Sequence, residues 1–270
     1  MKIETIFEDQ DILIVNKPAG LVVNEASSVK GETLQAWLTK RLDDAETADW
    51  QALIPDDFTE EFGTAEEIFS QRQGLVHRLD KDTSGVMITA KNPGALVNLL
   101  AQFKQRQVKK KYTCLTHRKF RVPKGTIDAP LARARVDRQK FAVSSAGRSA
   151  VTNYELIAYY PNLNELGQEK LAKYKKKLSL YQGFTLVKCW PKTGRTHQIR
   201  VHMKHWQHPL VGDSKYVGKR RAKLDELWCP RQFLHASQIE FTHPRTQKKL
   251  IFEAELAVDL QYSLSLLAKE

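Results

Sequence analysis

Ile12, Leu13, Ile14 and Val15 are four apolar side chains in succession, set between the polar turn Glu8-Asp9-Gln10-Asp11 and the breaker "NKPAG". A strand turns alternate residues to opposite faces, so apolar residues on both parities need cover on both sides. The run therefore predicts an inner strand, buried above and below. Residues 3–7, "VMITA" at 86–90, "KKYTCLT", "AVTNYELIAY" at 150–159 and "GFTLVKCW" at 183–190 read as further strands. Helical spacing joins Leu34, Trp37, Leu38 and Leu42, and again Leu96, Leu99, Leu100 and Phe103. In "THQIRVHMKHW" it places Ile199, Met203 and Trp206 on one face and turns Arg200 and Lys204 elsewhere. Strands and helices alternate without an internal repeat or low-complexity linker, which predicts one compact α+β unit over residues 1–270.

A chain of 270 residues with 41% hydrophobic content can bury a sizeable core. No apolar run approaches the roughly 18 to 20 residues that a bilayer span needs, and the N-terminus lacks a signal peptide's apolar block. A soluble, cytoplasmic protein with no membrane partner is expected, as a monomer. Cys114, Cys189 and Cys229 are widely spaced without a C-x-x-C, which argues against a disulfide framework or a thiolate zinc site.

The formal charge of +12 is unevenly spread. Residues 43–67 hold ten acids and no Lys or Arg, so the rest of the chain sets 43 cations against 21 acids. A polyanion is the natural partner for that remainder. Two clusters stand out: residues 104–124 carry nine Lys/Arg and no acid, and residues 190–223 carry nine Lys/Arg, four His and one acid, Asp213. The acidic stretch reads as an inserted loop or a loosely packed helix pair, and the lysine-rich 168–177 as a solvated loop or helix.

His197, His202, His205 and His208 lie close enough in sequence to raise the question of a metal. There is no H-E-x-x-H, and the four cannot share one helix face with a carboxylate ligand, so no metal is expected. The better reading is a glycine-opened helix whose first amides, Arg195 and imidazoles meet phosphates. In "GLVHRLDKDTSG", Asp80 sits between Arg78 and Lys81 with Thr83, Ser84 and Gly85 behind it. Alone it reads as a turn carboxylate in a local ion pair. Ser84 has no G-x-S-x-G elbow, and no second acid completes a glycosidase pair.

Taken in order, "HRLDKDTSG", "KKKYTCLT", "KTGRTHQIRVHMKHWQHPLVGDSKY" and "RQFLHASQIEFTHP" closely resemble the RluA-type family of ribosomal and transfer-RNA pseudouridine synthases. The opening "EDQDILIVNKPAGLVV" matches that family's first strands, and the resemblance runs from about residue 4 to 255. It implies a mixed, largely antiparallel central sheet with an RNA-binding cleft, and isomerisation of uridine to pseudouridine without cofactor or metal. It also implies that Asp80 is the nucleophilic aspartate, that Tyr112 stacks on the target base, and that Arg200 pairs with the aspartate. Arg78 then matches the arginine that displaces the target base. Lys81, Thr83, Lys109, Lys110, Lys111, Arg195 and His197 are the further RNA-binding candidates.

The chemistry agrees with these roles. Moving uracil from an N1 to a C5 linkage means cleaving a glycosidic bond and rotating the retained base. An ionised carboxylate can attack C1′ or C6, or remove a proton at C2′. The base must first leave its stack, which asks for an adjacent cation and a glycine-flanked turn. The chain opens directly on catalytic-type strands, so the small S4 module that precedes many relatives is not expected. "LVVNEAS" also stands where a histidine often follows LVV. The rival readings are a non-catalytic RNA-binding or ribosome-assembly factor on the same fold, and a base-excising glycosylase, which would release free uracil.

Overall fold

The computed structural model describes residues 3–26, 29–42 and 49–269. In chain order the first elements are β1 (Glu4–Glu8), β2 (Ile12–Lys17), α1 (Leu34–Leu42), α2 (Ala65–Arg72), β3 (Ser84–Ala90) and α3 (Pro93–Lys104). Then come β4 (Lys109–His117), β5 (Lys124–Asp128), β6 (Leu131–Arg133), β7 (Phe141–Val143), β8 (Val151–Tyr160), α4 (Glu165–Lys170) and β9 (Phe184–Pro191). The last are α5 (Gln198–His205), α6 (Lys219–Asp225), β10 (Leu234–Thr242), β11 (Lys249–Glu253) and α7 (Val258–Ser265). The chain divides into two compact units, one of residues 1–110 and 236–255, the other of residues 111–235 and 256–270. Both are α+β and built on largely antiparallel strands.

In the first unit β1, β2 and β3 follow one another in the sheet, β10 lies beside β3, and β11 pairs with β10. The β1/β2, β2/β3 and β10/β11 pairs are antiparallel. Ile12 to Val15 are fully buried on both faces, as their parity requires. Each such side chain contributes about 1.5–3 kcal/mol relative to exposure. Ile12 and Ile14 pack with Ile88, Leu96 and Leu99, so α3 covers one face of the strands. Asn92 caps that helix by accepting from the Ala95 amide, and Pro93 occupies its first turn.

The acidic stretch is more than a loop. Residues 43–48 fall outside the described residues, but the rest contributes Trp50, Leu53 and Ala65 to the same core. A Cβ at Gly94 would lie 2.0 Å from the Trp50 carbonyl oxygen, so backbone packs directly on the start of α3. Thr64 and Glu67 form a capping box that starts α2. The described acids are exposed while Trp50, Leu53 and Ala65 turn inward, and Phe62 stays 78% exposed.

In the second unit the order is β4-β9-β8-β5, with β4/β9, β9/β8 and β8/β5 all antiparallel. β6 and β7 form a separate hairpin. The lysine-rich stretch becomes α4 followed by 3-10 turns over Ala172–Leu180, anchored by buried Leu171. The segment 198–205 is a helix, but its face differs from the periodic reading. Arg200 and His202 are buried together with Ile199 and Met203, whereas Trp206, at 37% exposure, lies past the helix end.

Candidate active site

Asp80 stands at the end of an extended segment in the first unit. Leu75, Val76 and Leu79 are buried, Arg78 and Lys81 exposed, and Asp80 itself half-buried. The Thr83 amide returns to the Asp80 carbonyl at 3.1 Å, closing the turn that leads into β3. Thr83 is buried. Gly85, at φ 121°, fits because a Cβ there would lie 2.2 Å from the Ala236 carbonyl oxygen. The glycine thus lets β3 lie against β10 just behind the carboxylate.

A buried cation holds this turn. Lys17 is fully buried, and its ammonium donates to the carbonyls of Pro18, Leu21 and Lys81 at 2.8, 2.9 and 3.0 Å. The Gly20 amide also donates to Lys81 O. Three carbonyls satisfy the three ammonium hydrogens, which is what lets a lysine be buried at all. Sequence reading passed over Lys17. The available signal was a lysine at the end of a strand buried on both faces, immediately before the breaker.

His77, beside Arg78, stacks on Phe103 at 5.0 Å, and its Nε2 accepts from the Ile88 amide. Burial, helped by the charge of Lys110, pushes its pKa down to about 3, so it is neutral at physiological pH. Lys110 lies over the same Phe103 ring, and burial lowers its pKa to about 8. Lys109 is ion-paired with Glu240 at 2.7 Å. Lys109 and Lys110, expected at RNA, therefore have partners within the protein, and Lys111, in the second unit, is half-buried.

The second unit carries Tyr112 and Arg200. Tyr112 lies on β4, half-buried, opposite Cys189 of β9. Arg200, 4% exposed, makes a two-pronged pair with Asp213: Nε to Oδ2 and Nη2 to Oδ1, both at 2.8 Å. Its guanidinium lies 5.1 Å from the centre of the Tyr216 ring. The Tyr216 hydroxyl bonds His197 Nδ1 at 2.8 Å and accepts from the Phe141 amide. His197 opens α5 in the left-handed region, at φ 57°.

Gln198 ties the preceding loop down. Its Oε1 accepts from the Thr193 hydroxyl and the Arg195 amide, while its Nε2 donates to Val151 O and Thr152 Oγ1. Arg195 is half-buried and donates from Nε to Ser149 O. The amides and imidazoles foreseen as phosphate contacts are thus partly spent inside the fold. His202 is buried between Thr152 Oγ1 and Ala129 O, and His208 stacks on Phe120 and bonds His117 O. Gln198, Asp213 and Tyr216, which were not singled out as candidates in the sequence, hold Arg195, Arg200 and His197 in place; Asp213 and Tyr216 lie inside the quoted "VGDSKY".

Among the described residues, Asp9, Asp11 and His243 have ligand atoms within 4.8 Å of one another. Those atoms already pair: Asp9 with His243, Asp11 bidentately with Arg245, and Asp9 with the Asp11 and Ile12 amides. The cluster fastens the β1–β2 turn to the turn after β10.

The first unit thus carries a half-buried carboxylate on a pinned turn, and the second, by itself, carries a strand tyrosine and a carboxylate-braced arginine. The model of the RNA pseudouridylate synthase family matches residues 11–205, and the chain belongs to that family. The family's members isomerise uridine to pseudouridine in RNA, and this chain is such an isomerase. It is 36% identical over 260 residues to the Bacillus subtilis (strain 168) protein "Uncharacterized RNA pseudouridine synthase YlyB", covering 96% of this chain and 71% of that one. It is 35% identical to "Ribosomal large subunit pseudouridine synthase D" of Pseudomonas aeruginosa, covering 100% and 73%. It is 32% identical to "tRNA pseudouridine synthase C" of Haemophilus ducreyi, covering 95% and 92%. The solved structure of "Human RNA Pseudouridylate Synthase Domain Containing 1" shares the fold, with a TM-score of 0.68 at 20% identity over 100% of this chain and 89% of that one.

Proposed function

We propose that the chain modifies one or more specific uridines of structured ribosomal or transfer RNA, with Asp80 as the reacting carboxylate. The observation that carries this reading is the Asp80 turn: a half-buried carboxylate flanked by exposed Arg78 and Lys81, on a segment that buried Lys17 holds fast. Rigid support keeps a reacting group within the narrow geometry that bond making needs.

In this reading Arg78 enters the gap left by the displaced base with exposed Lys81 near it, whereas Thr83, 1% exposed, supports the Asp80 turn from within and does not reach RNA. Tyr112 stacks on the extruded uracil, worth about 1–3 kcal/mol per stacked base. Arg200, held through Nε and Nη2 by Asp213, is the arginine that the family resemblance assigns to the reaction. Asp80 then makes a bond at C1′ or C6, or removes the C2′ proton. The glycosidic bond breaks with its electron pair left on the uracil, the uracil turns, and C5 bonds to C1′ as the bond to Asp80 breaks, or as C2′ regains its proton, while the C5 proton leaves to water. Lys111, Arg195 and His197 meet neighbouring phosphates. The protein works as a cytoplasmic monomer.

Single-turnover release of tritium from C5-labelled ribosomal and transfer RNA transcripts tests this. Wild-type protein should release tritium from one transcript class. Asp80→Asn should release none while binding that RNA with unchanged affinity and melting at nearly the same temperature. Tritium release by Asp80→Asn would remove Asp80 from the chemistry, and free uracil in the products would mark a glycosylase instead.

A further inference from the structure

Three buried side-chain nitrogens among the described residues have no hydrogen-bond partner: His117 Nδ1, Arg118 Nε and Arg221 Nε. The second unit brings their owners to one place. His117, at the end of β4, bonds Asp225 Oδ2 through Nε2 at 2.8 Å. Asp225 lies four residues after Arg221, so the two share a face of α6. Arg118 follows His117 directly. The backbone between 180 and 183 anchors both arginines: Arg221 Nη2 donates to Leu180 O at 3.1 Å and the Arg118 amide to Gly183 O at 2.7 Å. The Arg118 backbone is held at φ 75°, with its carbonyl accepting from the Thr185 hydroxyl.

Asp225 does not neutralise the two guanidinium groups by hydrogen bonding. Its oxygens already accept from the Tyr181 hydroxyl and the Gly212 amide as well as meeting His117. Burial lowers the Arg221 pKa, Asp225 opposes that, and the charge of Arg118 lowers it further. Two like charges with unspent donors, held half-buried on separate elements, cost stability unless an anion meets them. Around them stand Lys119, over the Tyr159 ring at 4.3 Å, and the exposed Lys219, Arg220 and Lys223. Here the two acid-poor clusters of the sequence, 104–124 and 190–223, come together at their ends.

We propose that Arg118 and Arg221 form a phosphate-binding pair, and that in the working enzyme it takes a backbone phosphate of the RNA substrate away from the reacting uridine. Arg118 Nη1 reaches Gln207 O at 3.4 Å and Arg221 Nη2 reaches Leu180 O, which leaves both Nε–H donors unspent, and one phosphate offers enough acceptors for the two while cancelling the repulsion of the charges. The RNA source rests on the function proposed above; the phosphate chemistry does not. None of the residues assigned to the uridine belongs to the pair, so its role is to fix where a flanking stretch of RNA lies and to help select the site.

The test uses full-length wild type, Arg118→Gln, Arg221→Gln, the double variant and Arg221→Lys. Melting is followed in about 10 mM inorganic phosphate against chloride at equal ionic strength, since a ligand bound only by the folded state raises Tm. Phosphate should raise the wild-type Tm, less so that of Arg221→Lys, and not that of the Gln variants, whose melting in chloride verifies that they fold. With RNA, the double variant should raise KM on the order of tenfold while kcat falls less than twofold, and its log–log salt slope should shrink by about 0.7–0.9, the value of one phosphate contact. Loss of the phosphate effect with KM and salt slope unmoved would overturn the RNA source and assign the pair to a free phosphate compound. No phosphate effect on wild type together with an unmoved KM would overturn the proposal. Failure of the wild type to make pseudouridine would sink the functional reading and leave the melting result to decide the phosphate pair.

Discussion

Arg200 and Asp213 are buried together, so neither can be changed alone without leaving a charge in a poor medium. Arg200→Met should lose about 3–5 kcal/mol of stability, because the Asp213 carboxylate then keeps, among the described residues, the Lys215 amide alone as a donor. Urea unfolding measures this, and adding Asp213→Leu should recover most of the loss. Equal stability of wild type and Arg200→Met would mean that the pair is solvated in solution. Tyr112 carries a different expectation. If its ring supports the displaced base, Tyr112→Phe should keep most of the single-turnover rate and Tyr112→Ala lose it; equal loss in both would give the hydroxyl a proton-transfer role. Asp80, Tyr112 and Arg200 were legible as candidates because each sits in a contiguous motif. Lys17 was not, since its meaning depends on the carbonyl of Lys81, 64 positions away.

Elements show where local pattern and packing disagree. The periodicity of α5 foretold an amphipathic helix with Arg200 turned away from the apolar face, and the helix formed. Arg200 and His202 are nevertheless buried, because Asp213, Thr152 and Ala129 O supply their partners, while Lys204 and His205 stay exposed. The acidic stretch shows the converse. Ten carboxylates advertise solvent, yet Trp50 and Leu53 between them belong to the core. Trp50→Ala should therefore cost about 3–5 kcal/mol by cavity formation. Excision of residues 49–67 should yield protein without a cooperative thermal transition, read by circular dichroism. A folded, active product would return the stretch to the status of a loop.

Over the molecule as a whole, titration and charge set the solution behaviour. His77 binds a proton in the unfolded chain at an ordinary histidine pKa but only near 3 when folded. Between those values the unfolded state holds more protons, so stability is full above about 6.5 and falls as pH drops toward 3. His77→Gln, which keeps an acceptor for the Ile88 amide, should flatten that part of the Tm-against-pH curve; an unchanged curve would assign acid sensitivity to other groups. RNA affinity should fall linearly in log–log salt plots, and Lys111→Glu should lower the slope by about 0.7–0.9 if that lysine meets a phosphate.

The linear order of residues by itself determined the strand and helix content, the inner position of Ile12–Val15, the basic character and the motif set, because these depend on neighbours within a few positions. Tertiary structure alone decided that Lys17 pins the Asp80 turn, that Asp213 braces Arg200, that the acidic stretch enters a core, and that Arg118 and Arg221 are both anchored on the backbone between 180 and 183. Each of these is a balance of desolvation against a specific partner. Until folding brings the partner near, the same side chain reads as an ordinary surface charge.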